Sequence, residues 1–128
     1  MKFILFWLVI APIAFFTEEL PNIGAITKAI NDGDANTLGQ FFDETVEIAI
    51  LDSEDMYSKT QAIAKVKAFF DTTKPKSFKE MHQGTSKGQD SQYCIGNLTA
   101  GNGTYRVYIY MKVSGGKTVI QELRFDKG

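Results

Sequence analysis

The sequence predicts one α+β domain in which a curved antiparallel sheet wraps, like a cone, around three helices from the first half of the chain. Three segments with apolar residues at helical spacing come first, and four segments rich in β-branched and aromatic residues come last. The connections between those four segments are short, which favours antiparallel neighbours. Gly84 and Gly96 fall inside expected strands, where they allow the sheet to bend.

The first 17 residues have the pattern of an export signal, which leaves residues 18–128 as the domain. Lys2 is followed by an uncharged apolar stretch over residues 3–16. That stretch is shorter than the ~20 residues of a membrane-spanning helix but fits the apolar core of a signal peptide. We therefore expect an exported protein, periplasmic or secreted, with no stable membrane span after cleavage of the signal. An uncleaved anchor and a buried N-terminal helix are the alternatives.

Two short helices are expected next. The first covers residues 20–30, and its apolar residues recur at helical spacing: Leu20, Ile23, Ile26 and Ile30. Gly33 fits a left-handed cap at its end. Asp34 can cap a second helix that runs to about residue 42. Because the turn between them is short, the two helices are expected to form a hairpin.

A strand at residues 46–50 and a third helix follow. Residues 52–55 contain three acids, but they lack the spacing of a calcium loop and fit a solvated turn. The third helix begins at a capping box, in which Ser58 and Gln61 can exchange side-chain to backbone hydrogen bonds. It runs to Phe70, and Pro75 cannot continue it. Its apolar stripe consists of Ala62, Ile63, Val66, Phe69 and Phe70.

The second half of the chain predicts four strands, at residues 77–86, 92–98, 103–113 and 117–125. Alternation places Phe78, Glu80 and His82 on one face of the first of these strands. In the second strand, Tyr93 and Ile95 share one face. The opposite face of that strand carries Cys94, Gly96 and Leu98.

The last two strands form a hairpin around Ser114, Gly115 and Gly116. A three-residue loop with Gly116 left-handed pairs Val113 with Lys117 and separates apolar from charged residues, whereas a two-residue loop mixes them. The expected core face carries Tyr105, Val107, Ile109, Met111, Val119, Leu123 and Phe125, with Gln121 as its only polar member. The expected outer face carries Arg106, Tyr108, Tyr110, Lys112, Ile120, Glu122 and Arg124.

Composition excludes several classes of function. The formal net charge is -1, which provides no electrostatic basis for binding nucleic acid. No Walker, dinucleotide-binding or serine-elbow pattern occurs in the sequence. The chain has one cysteine, Cys94, and one histidine, so neither an internal disulfide nor a metal site of the zinc type is predicted. We predict no cofactor, and we expect Cys94 to be a small buried apolar residue.

The order helix, helix, strand, helix and four long strands resembles the nuclear transport factor 2-like superfamily. The segments that carry the resemblance begin with Tyr57-Ser58-Lys59, Phe69-Phe70, Pro75-Lys76-Ser77-Phe78 and His82-Gln83-Gly84. They continue with Tyr93-Cys94-Ile95-Gly96, Gly103-Thr104-Tyr105-Arg106-Val107 and Gln121-Glu122-Leu123-Arg124. Over residues 23–125 the chain resembles a family of small exported bacterial proteins known only as a domain of unknown function. The resemblance implies a cone-like fold and an exported location. It implies no established activity and supplies no catalytic residue.

The function predicted from the sequence is that of a non-catalytic, small-ligand-binding or accessory interaction domain. Its ligand would be a small apolar or amphipathic molecule, contacted by polar residues that can point into the cone: His82, Gln121, Glu80 and Tyr105. A homodimer through the outer sheet face would use Tyr108, Tyr110, Ile120 and Arg106. The alternative is a proton-transfer enzyme of the isomerase or dehydratase type with His82 or Glu80 as general base. Buried structural roles for the polar residues and a solvated outer face are the simpler interpretations.

Overall fold

A computed structural model describes residues 23–86, 88 and 90–128, so the expected signal peptide and the start of the first expected helix lie outside the described residues. The helices are α1 Ile23–Asp32, α2 Ala35–Gly39 and α3 Lys59–Thr73. The strands are β1 Phe42–Ile50, β2 Ser53–Ser58, β3 Pro75–Thr85, β4 Ser91–Ala100, β5 Gly103–Ser114 and β6 Lys117–Lys127. Within the described ranges, no helix is long and apolar enough to cross a membrane.

The six strands form one curved sheet in the order β2-β1-β6-β5-β4-β3. The last four strands pair antiparallel in sequence order, as predicted. The early strand β1 lies beside β6 and runs parallel to it, so the sheet is mixed. The structure confirms the α+β class, with the helices on one face of the sheet. We call the face toward the helices the inner face and the opposite one the outer face.

Local capping signals fix the helix ends. Gly33 adopts the left-handed conformation expected for the end of α1, with φ +66°. The backbone N–H of Thr37 donates to Asp34 Oδ1 at 3.0 Å, which confirms Asp34 as the N-cap of α2. Ser58 and Gln61 form both hydrogen bonds of the predicted capping box, each at 3.3 Å. These bonds satisfy donors that the first turn of a helix otherwise leaves unpaired.

Strand β2 was not predicted, because residues 52–55 have the composition of a solvated turn. The turn is shorter than expected, since Ile50 already pairs with Ser53 across Leu51 and Asp52. Strand β2 lies at the edge of the sheet, and almost all of its side chains are exposed. A strand with little buried surface does not show the alternation of apolar and polar residues by which strands are recognised.

The prediction of a three-residue loop between β5 and β6 is wrong. Ser114 pairs with Lys117, and the two loop residues Gly115 and Gly116 both have positive φ, at +57° and +77°. These dihedral angles are those that a two-residue hairpin turn of the I′ type requires. Such a turn alone would mix apolar and charged side chains on both faces, which is why the longer loop was predicted.

A β-bulge in β6 restores the separation of the faces. Tyr110 pairs with Glu122 and Met111 pairs with Ile120, which leaves Gln121 as the extra residue. Beyond the bulge, Leu123 and the residues after it have the predicted facing. Before the bulge the facing is reversed, so Ile120 is fully buried in the core instead of lying on the outer face. The predicted facing of Val119 is wrong for the same reason.

The core is filled by the apolar inner face of the sheet and by aromatic side chains from α3. Val107, Ile109 and Leu123 are fully buried, as predicted. The Phe69 ring lies 4.6 Å from the Phe125 ring and 5.2 Å from the Tyr105 ring, measured between centroids. Such pairs add to the free energy gained from burial. Helix α3 is therefore anchored on the sheet by an aromatic cluster.

Candidate functional site

Four side chains form a continuous block in the middle of the outer sheet face. Ile95 lies opposite Tyr108, and Tyr93 lies opposite Tyr110, on the neighbouring strands β4 and β5. Residues directly opposite each other on one sheet face are close enough to pack. Tyr93 is 38% exposed, and the other three are half-buried. We call these four residues the central block.

Four charged residues lie beside the central block, on strands β1, β2 and β6: Glu47, Glu54, Glu122 and Arg124. Glu122 is the neighbour of Tyr110 on one side and of Glu47 on the other. Arg124 Nη1 donates to Glu54 Oε1 at 3.1 Å and to Glu122 Oε1 at 3.2 Å. We call these four charged residues the acidic cluster. Its three carboxyl groups outnumber its single guanidinium group, so this half of the outer face is negative.

The carboxyl groups of Glu47 and Glu54 are hydrogen-bonded to each other. This bond raises the pKa of Glu47, and partial burial and the Glu122 carboxylate raise it further. The same bond and the guanidinium of Arg124 lower the pKa of Glu54. The two shifts have opposite directions because only Glu54 also accepts a hydrogen bond from the guanidinium of Arg124. Acidification therefore neutralises Glu47 before Glu54.

The opposite half of the outer face, formed by β3, β4 and β5, carries positive side chains. Lys79 and Arg106 both flank Asn97 across the sheet, and Lys112 lies further along β5. The three basic side chains are exposed. Asp126 of β6 lies opposite Arg106 and offsets part of this charge. The outer face therefore changes from negative to positive across the central block.

Three of the four predicted interface residues lie on this face. Tyr108 and Tyr110 belong to the central block, and Arg106 belongs to the positive half. Ile120 lies in the core, because of the bulge in β6. The prediction missed the contribution of β4 to the block, although the alternation of that strand already placed its two members on one face. Alternation alone does not show that Tyr93 and Ile95 lie beside Tyr110 and Tyr108, because this depends on the pairing of β4 with β5.

The structure does not bring the four predicted ligand-binding residues together. A bulge at Met81 separates Glu80, which lies opposite Gly96, from His82, which lies opposite Ile95. Glu80 therefore belongs to the inner face and His82 to the outer face, where it is exposed. The prediction that Glu80 and His82 share a face is wrong. The two residues cannot act as one acid and base pair.

The other two predicted ligand contacts have partners within the chain. The Tyr105 hydroxyl donates to Asn102 Oδ1 at 3.0 Å, and its ring packs in the aromatic core. Gln121, the bulge residue, donates from Nε2 to Asp43 Oδ2 at 3.1 Å. Neither contact tests ligand binding, which stays a prediction for all four residues.

Sequence reasoning missed Gln92 as a buried polar residue of the inner face. Gln92 is 3% exposed, and its side-chain Oε1 has no hydrogen-bond donor among the described residues. It shares the inner face with Cys94, which is fully buried as predicted. Burial, reinforced by the Glu80 carboxylate, raises the pKa of the Cys94 thiol to about 12. The thiol is therefore inert near neutral pH, because the reactive form of cysteine is the thiolate. The alternation in β4 was the signal that could have placed Gln92 inside.

Comparison with known proteins identifies a family and supports the fold. Residues 23–126 match the family model described as Domain of unknown function (DUF4783). A DUF4783 protein from Bacteroides uniformis is 28% identical, with a TM-score of 0.78 over 83% of this chain and 96% of its own. A second DUF4783 protein, from Bacteroides ovatus, is 26% identical, with a TM-score of 0.76 over 80% of this chain and 92% of its own.

A designed protein described as Rd1NTF2_04 with long sheet is similar in fold alone. It is 16% identical, with a TM-score of 0.63 over 80% of this chain and 94% of its own. This likeness agrees with a fold of the nuclear transport factor 2-like type. No curated protein matches the chain.

Proposed function

We propose that this chain, which belongs to the DUF4783 family, is a non-catalytic interaction domain that binds a second copy of itself through the outer face of its sheet. The observation that carries the proposal is the central block of Tyr93, Ile95, Tyr108 and Tyr110, which remains partly exposed between two halves of opposite charge. Aromatic residues are enriched in the buried centres of protein interfaces, and polar residues in their rims.

The charge distribution supports a second copy as the partner. In two sheets packed face to face about a two-fold axis parallel to the strands, each half of one face meets the opposite half of the other. The central block then meets itself, and β6 of one copy, which carries Glu122 and Arg124, lies over β3 of the other, which carries Lys79. Complementary charge favours this orientation over the one in which like halves meet.

The geometry supports a proton-transfer enzyme less well than it supports an interaction domain. Glu80 and His82, the expected bases, lie on opposite faces of the sheet. Neither has a hydrogen bond or an ion pair to another described residue that would orient it for catalysis, and positioned proton transfer requires such orientation.

We also propose that the protein acts outside the cytoplasm, as the apolar pattern of residues 3–16 predicts. The test is mass spectrometry of the N-terminus of the protein recovered from a periplasmic or culture fraction. An intact Met1 in the exported fraction, or protein confined to the cytoplasm, would contradict this location.

Sedimentation velocity of residues 18–128 tests the proposed self-association. We expect wild-type protein to form a dimer and Tyr108→Glu to be monomeric, because the substitution places a charge at the centre of the block. Ala68→Glu is the matched control, since it adds the same charge on the exposed side of α3 and should leave the dimer intact. Thermal melting shows whether each variant is folded.

Two results would contradict the proposal. One is a monomeric wild-type protein at about 1 mM, a concentration at which even an interface of millimolar Kd forms dimer. The other is equal association by Tyr108→Glu and Ala68→Glu when both are folded. In either case the outer face would be an ordinary solvated surface.

A further inference from the structure

The ring of Tyr93 occupies the space that a side chain at position 84 would fill. Because of the bulge at Met81, Gly84 belongs to the outer face, where it pairs with Tyr93 of β4. A Cβ added at Gly84 would lie 2.3 Å from Tyr93 Cε1, 2.7 Å from Cζ and 2.8 Å from the hydroxyl oxygen. All three distances are much shorter than a van der Waals contact, so the ring and a side chain at this position exclude each other.

This contact lowers the central block at Tyr93. Side chains of a strand usually stand roughly perpendicular to the sheet. The Tyr93 ring instead reaches sideways, with its hydroxyl end over the backbone of the neighbouring edge strand β3. Glycine permits so close an approach because it has no Cβ. Tyr93 is still 38% exposed, so part of the ring remains available to a partner.

The fold tolerates displacement of this ring. The three atoms nearest to a Cβ at Gly84 all belong to the far end of one flexible side chain, which can rotate away. At Gly96, by contrast, the Lys79 carbonyl oxygen would lie at 2.6 Å, so the backbone of a neighbouring strand would have to move. A side chain at position 84 would therefore move the Tyr93 ring and leave the strands in place.

We infer that Gly84 is a positioning residue of the proposed interface, because it keeps the Tyr93 ring low enough for a second copy to pack on the central block. The inference rests on the proposed self-association. In the two-fold arrangement described above, β4 of one copy lies over β5 of the other, so Tyr93 faces Tyr110 of the partner subunit. Two packed sheets lie about 10 Å apart. A ring that stands upright at this position would hold the two central blocks apart.

The simpler interpretation is that the contact only stabilises the fold. An aromatic ring from a neighbouring strand can cover a glycine in an edge strand and compensate for its missing side chain. In that case a substitution at Gly84 changes the melting temperature and leaves the association of the folded protein unchanged. The positioning role predicts a weaker dimer from a protein that is still folded.

Sedimentation velocity of residues 18–128 over a series of concentrations separates the two interpretations. We expect Gly84→Ala to raise the Kd of the dimer at least about tenfold, while thermal melting shows a folded protein. Gly24→Ala is the matched control, because it adds the same methyl group on α1, on the other side of the sheet. No atom of the described residues lies within 4 Å of a Cβ at Gly24, so this variant should keep the wild-type Kd.

An NMR measurement tests the contact itself and does not depend on dimerisation. The Hα protons of Gly84 and the Hε protons of the Tyr93 ring should show a nuclear Overhauser effect in the wild-type protein, because the ring lies over Gly84. If this effect is absent, the ring does not lie over Gly84 in solution, and the inference is overturned even for a protein that dimerises.

The remaining outcomes distinguish failure of this inference from failure of the proposed function. A dimer whose Kd is the same in Gly84→Ala and Gly24→Ala overturns the inference alone and leaves self-association intact. A monomeric wild-type protein contradicts self-association and, with it, the role of Gly84. Should Gly84→Ala fail to fold, Tyr93→Leu decides, because it removes the ring and adds nothing at Gly84. An unchanged Kd for Tyr93→Leu would then overturn the inference.

Discussion

Truncation of Phe125 should remove a large part of the stability of this domain. Phe125 is fully buried, and its ring centroid lies 4.6 Å from that of Phe69 and 5.8 Å from that of Phe70. A buried phenylalanine truncated to alanine costs about 3–5 kcal/mol through lost burial and the cavity that remains. Each aromatic pair adds about 0.5–1.5 kcal/mol. Because Phe125→Ala breaks two such pairs, we expect a loss near the upper end, about 4–5 kcal/mol.

Urea unfolding followed by circular dichroism measures this loss. A domain of this size has a total stability of about 5–15 kcal/mol, so the variant should unfold at far lower urea than wild-type protein. Met81→Ala is the control, because Met81 is 50% exposed and should change the free energy of unfolding by no more than about 0.5 kcal/mol. A loss below about 2 kcal/mol for Phe125→Ala, with an unchanged urea dependence, would refute the view that the aromatic cluster holds α3 on the sheet.

Three further predictions concern the helix caps and the close approach of two strands. Asp34→Ala should cost about 1 kcal/mol through loss of the α2 cap, whereas Asp34→Asn keeps the cap. Hydrogen bonds from Thr37 lower the pKa of Asp34, so its contribution is complete above the ordinary pKa of aspartate and is lost as the pH falls through the lowered value. Acid titration of the melting temperature should therefore be flatter for Asp34→Asn than for wild-type protein, and identical titrations would contradict the assignment. Gly96→Ala should destabilise by about 1–3 kcal/mol, since a Cβ there would lie 2.3 Å from Phe78 Cζ and 2.6 Å from the Lys79 carbonyl oxygen; a neutral result in urea unfolding would show that the strands can separate at no cost. Lys74→Gly should stabilise by about 0.5–1 kcal/mol, because Lys74 ends α3 in the left-handed conformation with φ +57°. A lower urea midpoint for this variant would show that the lysine side chain makes a contact worth more than the backbone strain.

The candidate sites could be predicted in part. Tyr108 and Tyr110 were placed on the outer face because alternation in β5 is regular over its whole length. The acidic cluster could not be predicted, because Glu47 and Glu54 lie some 70 residues from their partner Arg124 along the chain. Their proximity follows from the pairing of β1 with β6, and no local pattern encodes a pairing between strands so distant in sequence.

Local patterns in the sequence predict the helices, their caps and the strands that are half buried. Capping bonds span three residues, and burial of one strand face imposes a period of two, so both leave a local record in the residues. Long-range strand pairing sets the parallel docking of β1, the exposed edge strand β2 and the bulges at Met81 and Gln121. Side chains alternate regularly on each side of a bulge. Across the bulge, however, the face to which the alternation assigns each residue is reversed. The partner strand, and no local preference, selects the residue at which that reversal occurs.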